Sequence, residues 1–275
     1  MVIINKNADY SQNAIGVHYP VSELANTYLS KYTKTLSNDR KSAFSLLIDT
    51  LNNAGILDKV TDMFFPCLAS TLYEVIYNAK RDEQGLYTNI EKELHLMGDG
   101  VVGAYGFVDN PITPTYQPLH RANNNLQSYF LGYYDGGEQA TLAYFRGWCP
   151  RASGATRKWV LSFDLNNYAQ HDVTLEANKF YVRNVNFKSK ASLTLDDVTI
   201  FFNGVQSSIS KVGNWAPNTS NTTDDKVAVG TCDNGQYFNN QTSPVTLFIY
   251  ANALTDEEIQ LVNSAIVRFN QQFFM

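Results

Sequence analysis

The pattern of apolar positions changes character near Glu91. Before it, helical spacing dominates. In VSELANTYLSKY, Val21, Leu24, Ala25, Tyr28, Leu29 and Tyr32 recur every three or four residues and make one apolar stripe. A second helix is better bounded. Ser37, Asn38 or Asp39 can cap it, Phe44, Leu47, Ile48 and Leu51 form its inner face, and Gly55 can supply a left-handed stop. ILDKVTDMFFPCLAS then reads as a short strand, with Pro66 near its end, and LYEVIYNAKRD as a further short helix.

Beyond Glu91, short β-branched and aromatic runs alternate with Gly, Asn and Asp clusters. They include SYFLGYY (128–134), ATLAYFRGW (140–148), RKWVLSFDL (157–165), KFYVRNVNF (179–187), LDDVTIFFNG (195–204), KVAVGT (226–231) and PVTLFIY (244–250). Strands at this spacing, punctuated by turn residues, predict an antiparallel sandwich or barrel. Asn203–Gly204 is a strong hairpin signal, and GNWAPNTSNTTDDK (213–226) reads as a polar loop. The chain closes on a helix whose Thr255 and Glu258 fit a capping box, with Ile259, Val262, Ala265, Ile266, Phe269 and Phe273 as its buried stripe. The expected organisation is an attachment or oligomerisation segment (1–36), a helix–strand–helix lead-in (37–90), and a β-sandwich closed by a helix (91–275).

Composition sharpens this picture. Aromatic residues make up 13% of the 275 residues and charged residues only 17%, which excludes a disordered chain and favours half-buried β-structure. The net charge is -5 and basic residues do not cluster, so nucleic acid is not an expected partner. No apolar run is long enough to span a membrane, and MVIINKNADYSQ lacks the charged-then-apolar pattern of a secretory signal. Cys67, Cys149 and Cys232 are odd in number and far apart, which predicts reduced thiols in a protein made in a cytosol.

Candidate chemistry is sparse. A strand-borne E-x-D-x-x-E carboxylate motif, which would suggest a glycoside hydrolase, does not occur. Asp196 and Asp197 are adjacent, so strand geometry sends them to opposite faces, while Glu91 and Glu93 could share one and also read as solvated edge residues. His18, His95, His120 and His171 show no metal-ligand spacing, and there is no G-x-S-x-G elbow. Asp99 in GDG and the Asp224–Asp225 pair could serve calcium but read better as turn and loop residues; no metal and no cofactor are expected. Tyr133, Tyr134, Tyr144, Trp148 and Trp215 are candidate glycan platforms, with core or oligomer packing as the alternative. Val21, Leu24, Tyr28, Leu29 and Tyr32 are a candidate subunit interface, and equally a surface that packs on the chain itself.

Several segments carry a family likeness. PVTLFIYANALTDEEIQLVNSAIVRFNQQF resembles the last strand and closing helix of concanavalin A-like and laminin-G-like sandwiches. LDDVTIFFNGV resembles their hairpin strand, and VAVGTCDNG another strand of that group. DRKSAFSLLIDTLNNAGILDKVTDMFFPCLAST, followed by LHLMGDGVVGAYGF, resembles a lead-in common to bacteriophage virion proteins, where a helix ending in "aGiwdkLd" feeds such a sandwich; Leu57 stands where that pattern has Trp. Residues 1–36 match nothing.

The resemblance implies a mainly β fold, an antiparallel jelly-roll sandwich of the concanavalin/laminin-G-like kind with flanking α-helices. It also implies a phage structural protein: an exterior fibre, tail or capsid-decorating component found in the virion, which the absence of a carboxylate strand motif, metal spacing and nucleophile elbow predicts to be non-enzymatic. Its expected partners are other virion proteins, further copies of itself in a homo-oligomer such as a trimer, and host surface polysaccharide. The alternative is a carbohydrate-binding module or a glycoside hydrolase on a concanavalin-like fold.

Overall fold

The computed structural model describes the backbone of residues 19–75, 77–84, 94–97, 100–103, 126–134, 140–141, 143–145, 149–153, 158–162, 168–172, 179–187, 198–212, 227–229, 231–232, 237–238 and 245–274. Side chains are described for 19–75, 77–84, 180–182, 184, 186, 199–210, 246–249, 251 and 253–274.

Local signals set the helices. Helix α1 (Glu23–Leu29) starts at Ser22, whose hydroxyl accepts the Ala25 amide. Helix α2 (Asn38–Asn53) is capped by Ser37, whose hydroxyl accepts the Arg40 amide at 3.3 Å. It stops in a Schellman turn. The Gly55 amide donates to the Asn52 carbonyl and the Ile56 amide to the Leu51 carbonyl, each at 2.9 Å. Gly55 takes a φ of +69°, which a side chain would make costly, and Leu51 and Ile56 are both fully buried beside it. A single-turn helix, α3, covers only Leu72–Val75. Helix α4 (Asp256–Phe273) opens on a complete capping box between Thr255 and Glu258.

The described strands are β1 (Val60–Phe64), β2 (Tyr77–Asn78), β3 (Glu83–Gln84), β4 (Leu94–Met97), β5 (Gly100–Gly103), β6 (Leu126–Tyr134) and β7 (Ala140–Thr141). They continue with β8 (Ala143–Phe145), β9 (Cys149–Ser153), β10 (Lys158–Ser162), β11 (Tyr168–Asp172), β12 (Lys179–Phe187) and β13 (Val198–Phe202). The last are β14 (Val205–Ser207), β15 (Ser210–Val212), β16 (Val227–Val229), β17 (Thr231–Cys232), β18 (Tyr237–Phe238) and β19 (Val245–Asn252). Eight of them form one antiparallel sheet in the order β14-β13-β12-β6-β19-β5-β4, with β1 paired to β19 off that path. A five-stranded sheet runs β15-β11-β10-β9-β7, and β8–β16, β17–β18 and β2–β3 pair separately. Asn203 and Gly204, both at positive φ, make the tight turn from β13 to β14.

The main described core lies between helices and one face of the large sheet. Phe44, Leu47, Ile48 and Leu51 of α2 and Ile259, Val262, Ile266, Phe269 and Phe273 of α4 meet Leu247, Ile249 and Ala251 of β19, Val182 of β12 and Phe201 of β13. Full burial of each large side chain contributes about 1.5–3 kcal/mol, so the two helices carry a large part of the hydrophobic stabilisation. Ala25, Tyr32 and Leu36 belong to the same cluster, so residues 19–36 pack into the core of the lead-in. Strand β1 enters the large sheet directly through β19.

The expected jelly-roll sandwich of the concanavalin/laminin-G-like kind is therefore corrected. A sandwich buries its core between two sheets. Here α2 and α4 cover one face of the eight-stranded sheet and supply the core on that side, while Tyr181, Ile200 and Phe248 are buried on the other, so a jelly roll of two stacked sheets is not what the described residues show. The mainly β, antiparallel character and the flanking helices remain.

Candidate functional site

The segment after α1 gathers exposed polar groups onto residues 70–82. Lys31 donates to both oxygens of Asp82, at 2.9 and 3.0 Å. The Tyr77 hydroxyl donates to the same carboxylate in a short hydrogen bond. The Thr33 amide and hydroxyl donate to Glu74 at 2.8 and 2.7 Å, and the Ser70 amide donates to its other oxygen at 2.6 Å. Between them the Tyr32 ring meets Tyr77 edge-on, at 5.9 Å between centroids. Residues 31–33 thus clamp the 70–82 segment.

Burial and these hydrogen bonds set the protonation of the cluster. Burial and the hydrogen bond to Asp82 push the Tyr77 phenol far above its ordinary range. The bonds from Tyr77 and then Lys31 hold the Asp82 carboxyl below its ordinary range, which makes it a weak base. The shared Asp82 carboxylate thus ties Tyr77 and Lys31 together. Burial likewise raises the Tyr32 phenol.

A second cluster is fully internal. Asp62 of β1 is 0% exposed, accepts from the Asn78 side-chain amide nitrogen at 2.7 Å and forms an ion pair with Arg81 Nε at 3.1 Å. Asn78 Oδ1 in turn accepts the Met63 and Lys80 amides, both at 3.2 Å, and the Ala79 amide donates to the Met63 carbonyl at 2.8 Å. Strand β1 pairs with β19 along one edge, and residues 78–81 satisfy its other edge. The sequence offered no sign of this pair beyond a lone Asp in an apolar strand, and neither residue was singled out there.

The predicted glycan residues are only partly placed. Tyr133 and Tyr134 lie in β6, opposite Phe180 and Lys179 of β12, and Tyr144 lies in β8 opposite Ala228. Their side chains, and all of Trp148 and Trp215, are outside the described residues. So are Glu91, Glu93, Asp99, Asp196, Asp197, Asp224 and Asp225. The predicted interface stripe is placed. Val21, Leu24, Tyr28 and Leu29 are partly buried against the chain's own core, and Tyr32 is inside it at 8% exposure. Among the described residues, no three His, Cys, Asp or Glu side chains come together as a metal site, and Cys67 is buried and forms no disulfide. No described helix is long and apolar enough to cross a membrane.

No family model and no curated protein matches the chain. Solved structures do. Trypanosoma rangeli sialidase in complex with 2-keto-3-deoxy-D-glycero-D-galacto-2,3-difluoro-nononic acid aligns over 84% of this chain at 10% identity, with a TM-score of 0.52. The same enzyme with 2,3-difluorosialic acid, as its covalent intermediate, aligns over 84% at 10% identity with a TM-score of 0.51. The fold is shared with part of a sialidase. This chain spans 39% of that enzyme's length, and at this identity the likeness concerns the fold alone.

Two expectations are corrected by this finding. The likeness is to sialidases, so the fold assignment made from concanavalin and laminin-G resemblance is replaced by one shared with part of these proteins. The expectation of a non-enzymatic protein is also corrected: the solved structures that share the fold are sialidases, so the fold gives no ground for excluding an enzyme. The absence of sequence motifs could not decide the matter, since carboxylates brought together by folding need no fixed spacing.

Proposed function

We propose that this chain is a carbohydrate-recognising domain. The observation that carries the proposal is the fold shared with sialidases solved with sialic acid-like sugars. Recognition is common to binding modules and to hydrolases, so it is the property that a likeness to part of an enzyme supports best. Tyr133, Tyr134, Tyr144, Trp148 and Trp215 are the candidate platforms in the sequence. Aromatic faces with polar neighbours are what sugar rings stack on.

The lead-in resemblance at residues 39–71 and 94–107 supports a virion as the setting, with other virion proteins and further copies of the chain as partners. Repeated copies would turn weak single contacts with a host polysaccharide into avidity. Titrating the purified chain with sialylated and neutral oligosaccharides, followed by Trp148→Ala and Trp215→Ala, tests the proposal. Saturable binding weakened by either change supports it, and release of free sugar in the same tubes would identify hydrolysis. Failure to bind any glycan would refute it.

A further inference from the structure

One buried group has no role in the packing described so far. Asn263 of α4 is 0% exposed, and neither its amide nitrogen nor its amide oxygen has a hydrogen-bond partner within the protein. A buried carboxamide offers two donor hydrogens and an acceptor with two lone pairs. Leaving them unmet costs on the order of 1–3 kcal/mol, which a neighbouring apolar residue would avoid. Seven residues on, the Asn270 side-chain oxygen is also buried without a partner. A separation of seven puts both on one flank of the helix.

That flank meets the sheet at its C-terminal end. Phe274 continues it and stacks on Phe180 of β12, with centroids 4.0 Å apart. Helix α4 begins four residues after β19 ends at Asn252, which pairs with Leu126 of β6, which in turn pairs with Phe187 of β12. So α4 runs back along β12 from its Phe187 end to its Phe180 end. At about 1.5 Å per helical residue and about 3.3 Å per strand residue, Asn263 falls roughly level with Asn184. Val182, which packs into the α4 core, shares its strand face with Asn184 and Asn186. Asn184 is 0% exposed and Asn186 2%, and Asn186 donates to the Thr199 hydroxyl of β13 at 3.2 Å. An apolar helix–sheet interface thus turns polar, on both sides, at one level.

We propose that the α4–β12 interface encloses a structural hydration site in which Asn263 binds ordered water that bridges it to the Asn184–Asn186–Thr199 side of the sheet. All the groups are neutral amides or hydroxyls, which suit water and offer no charge to hold an ion. A buried water makes about three hydrogen bonds, so one or two waters can each meet an Asn263 donor or acceptor and still reach the polar groups of the sheet. The site would fix the axial position of α4 on the sheet.

The test uses the full chain in two measurements. Water-to-amide magnetisation transfer should detect a long-lived water at the Asn263 side-chain NH2, and a high-resolution crystal structure should show its density between α4 and β12. In thermal unfolding, Asn263→Leu should lower Tm by several degrees, because it removes the water's partners on α4. Asn263→Ser, which keeps a donor and an acceptor and admits another water, should lose less. The proposal is overturned if the Asn263 amide bonds directly to a protein group with no water present, or if Asn263→Leu raises Tm.

Discussion

Glu258 joins two parts of the chain that are far apart in sequence, so its removal gives a sharp test of how α4 is anchored. One of its oxygens accepts the Thr255 amide at 2.8 Å, closing the capping box. Lys59, in the turn before β1, donates to both oxygens at 2.6 and 2.7 Å. Burial works against ionisation of Glu258, but the bonds from Lys59 and the Thr255 amide outweigh it and hold the carboxyl below its ordinary range. Replacing it with Gln keeps the shape and removes the charge. The lost interaction with the helix N-terminus is about 0.3–1 kcal/mol. The ion pair, whose side chains are 36% and 22% exposed, adds only about 0.2–1 kcal/mol after solvent screening.

Glu258→Gln should therefore cost about 1 kcal/mol at pH 7 and lower Tm by a few degrees. The pH dependence has a definite sign. The folded carboxyl titrates below the unfolded one, so the unfolded chain binds more protons in that window. The stabilisation is complete above the ordinary Glu range of about 4.3 and is lost as pH falls through the lowered folded value. Urea unfolding of the wild type, Glu258→Gln, Lys59→Met and the double variant at neutral and strongly acid pH would measure it. The reasoning is refuted if the single variants are additive at pH 7, or if the Glu258→Gln deficit persists undiminished in strong acid.

Other perturbations follow from the same structure. Arg81→Leu leaves the Asp62 carboxylate buried without its cation and should cost about 3–5 kcal/mol by chemical denaturation. Phe269→Ala empties a site that is 1% exposed at the centre of the α2–α4–sheet core, for an expected loss of about 3–5 kcal/mol and a drop in expressed soluble protein. Gly55→Ala meets no atom within 4 Å of the added carbon, so its cost is purely the left-handed backbone, about 1–2 kcal/mol, readable as a Tm shift with unchanged secondary structure by circular dichroism.

The parts of the fold legible in the sequence are those fixed within a few residues. Ser37 and Gly55 bound α2, and Thr255 with Glu258 opens α4, because caps satisfy backbone groups one turn away. Asn203–Gly204 makes its hairpin for the same reason. LYEVIYNAKRD misled: helix covers only Leu72–Val75, and Asn78 leaves the helical pattern to bond the distant Asp62. The layer arrangement was not legible either. An apolar stripe on a helix states that one face is buried, without stating against what. That Phe269 and Val182 share a core is a fact of sheet order, set by pairings such as β1 with β19 across the length of the chain. Val21, Leu24, Tyr28 and Leu29 show the same ambiguity, since a stripe that could meet another subunit packs on α1's own chain. Fold likeness to a sialidase lies further still from the sequence, at 10% identity.

The most direct test of the functional reading is isothermal titration of the full chain with a panel of sialylated and neutral oligosaccharides. The account predicts saturable binding of at least one glycan, weakened by Trp148→Ala or Trp215→Ala. No heat of binding with any member of the panel, from protein shown to be folded, would contradict it.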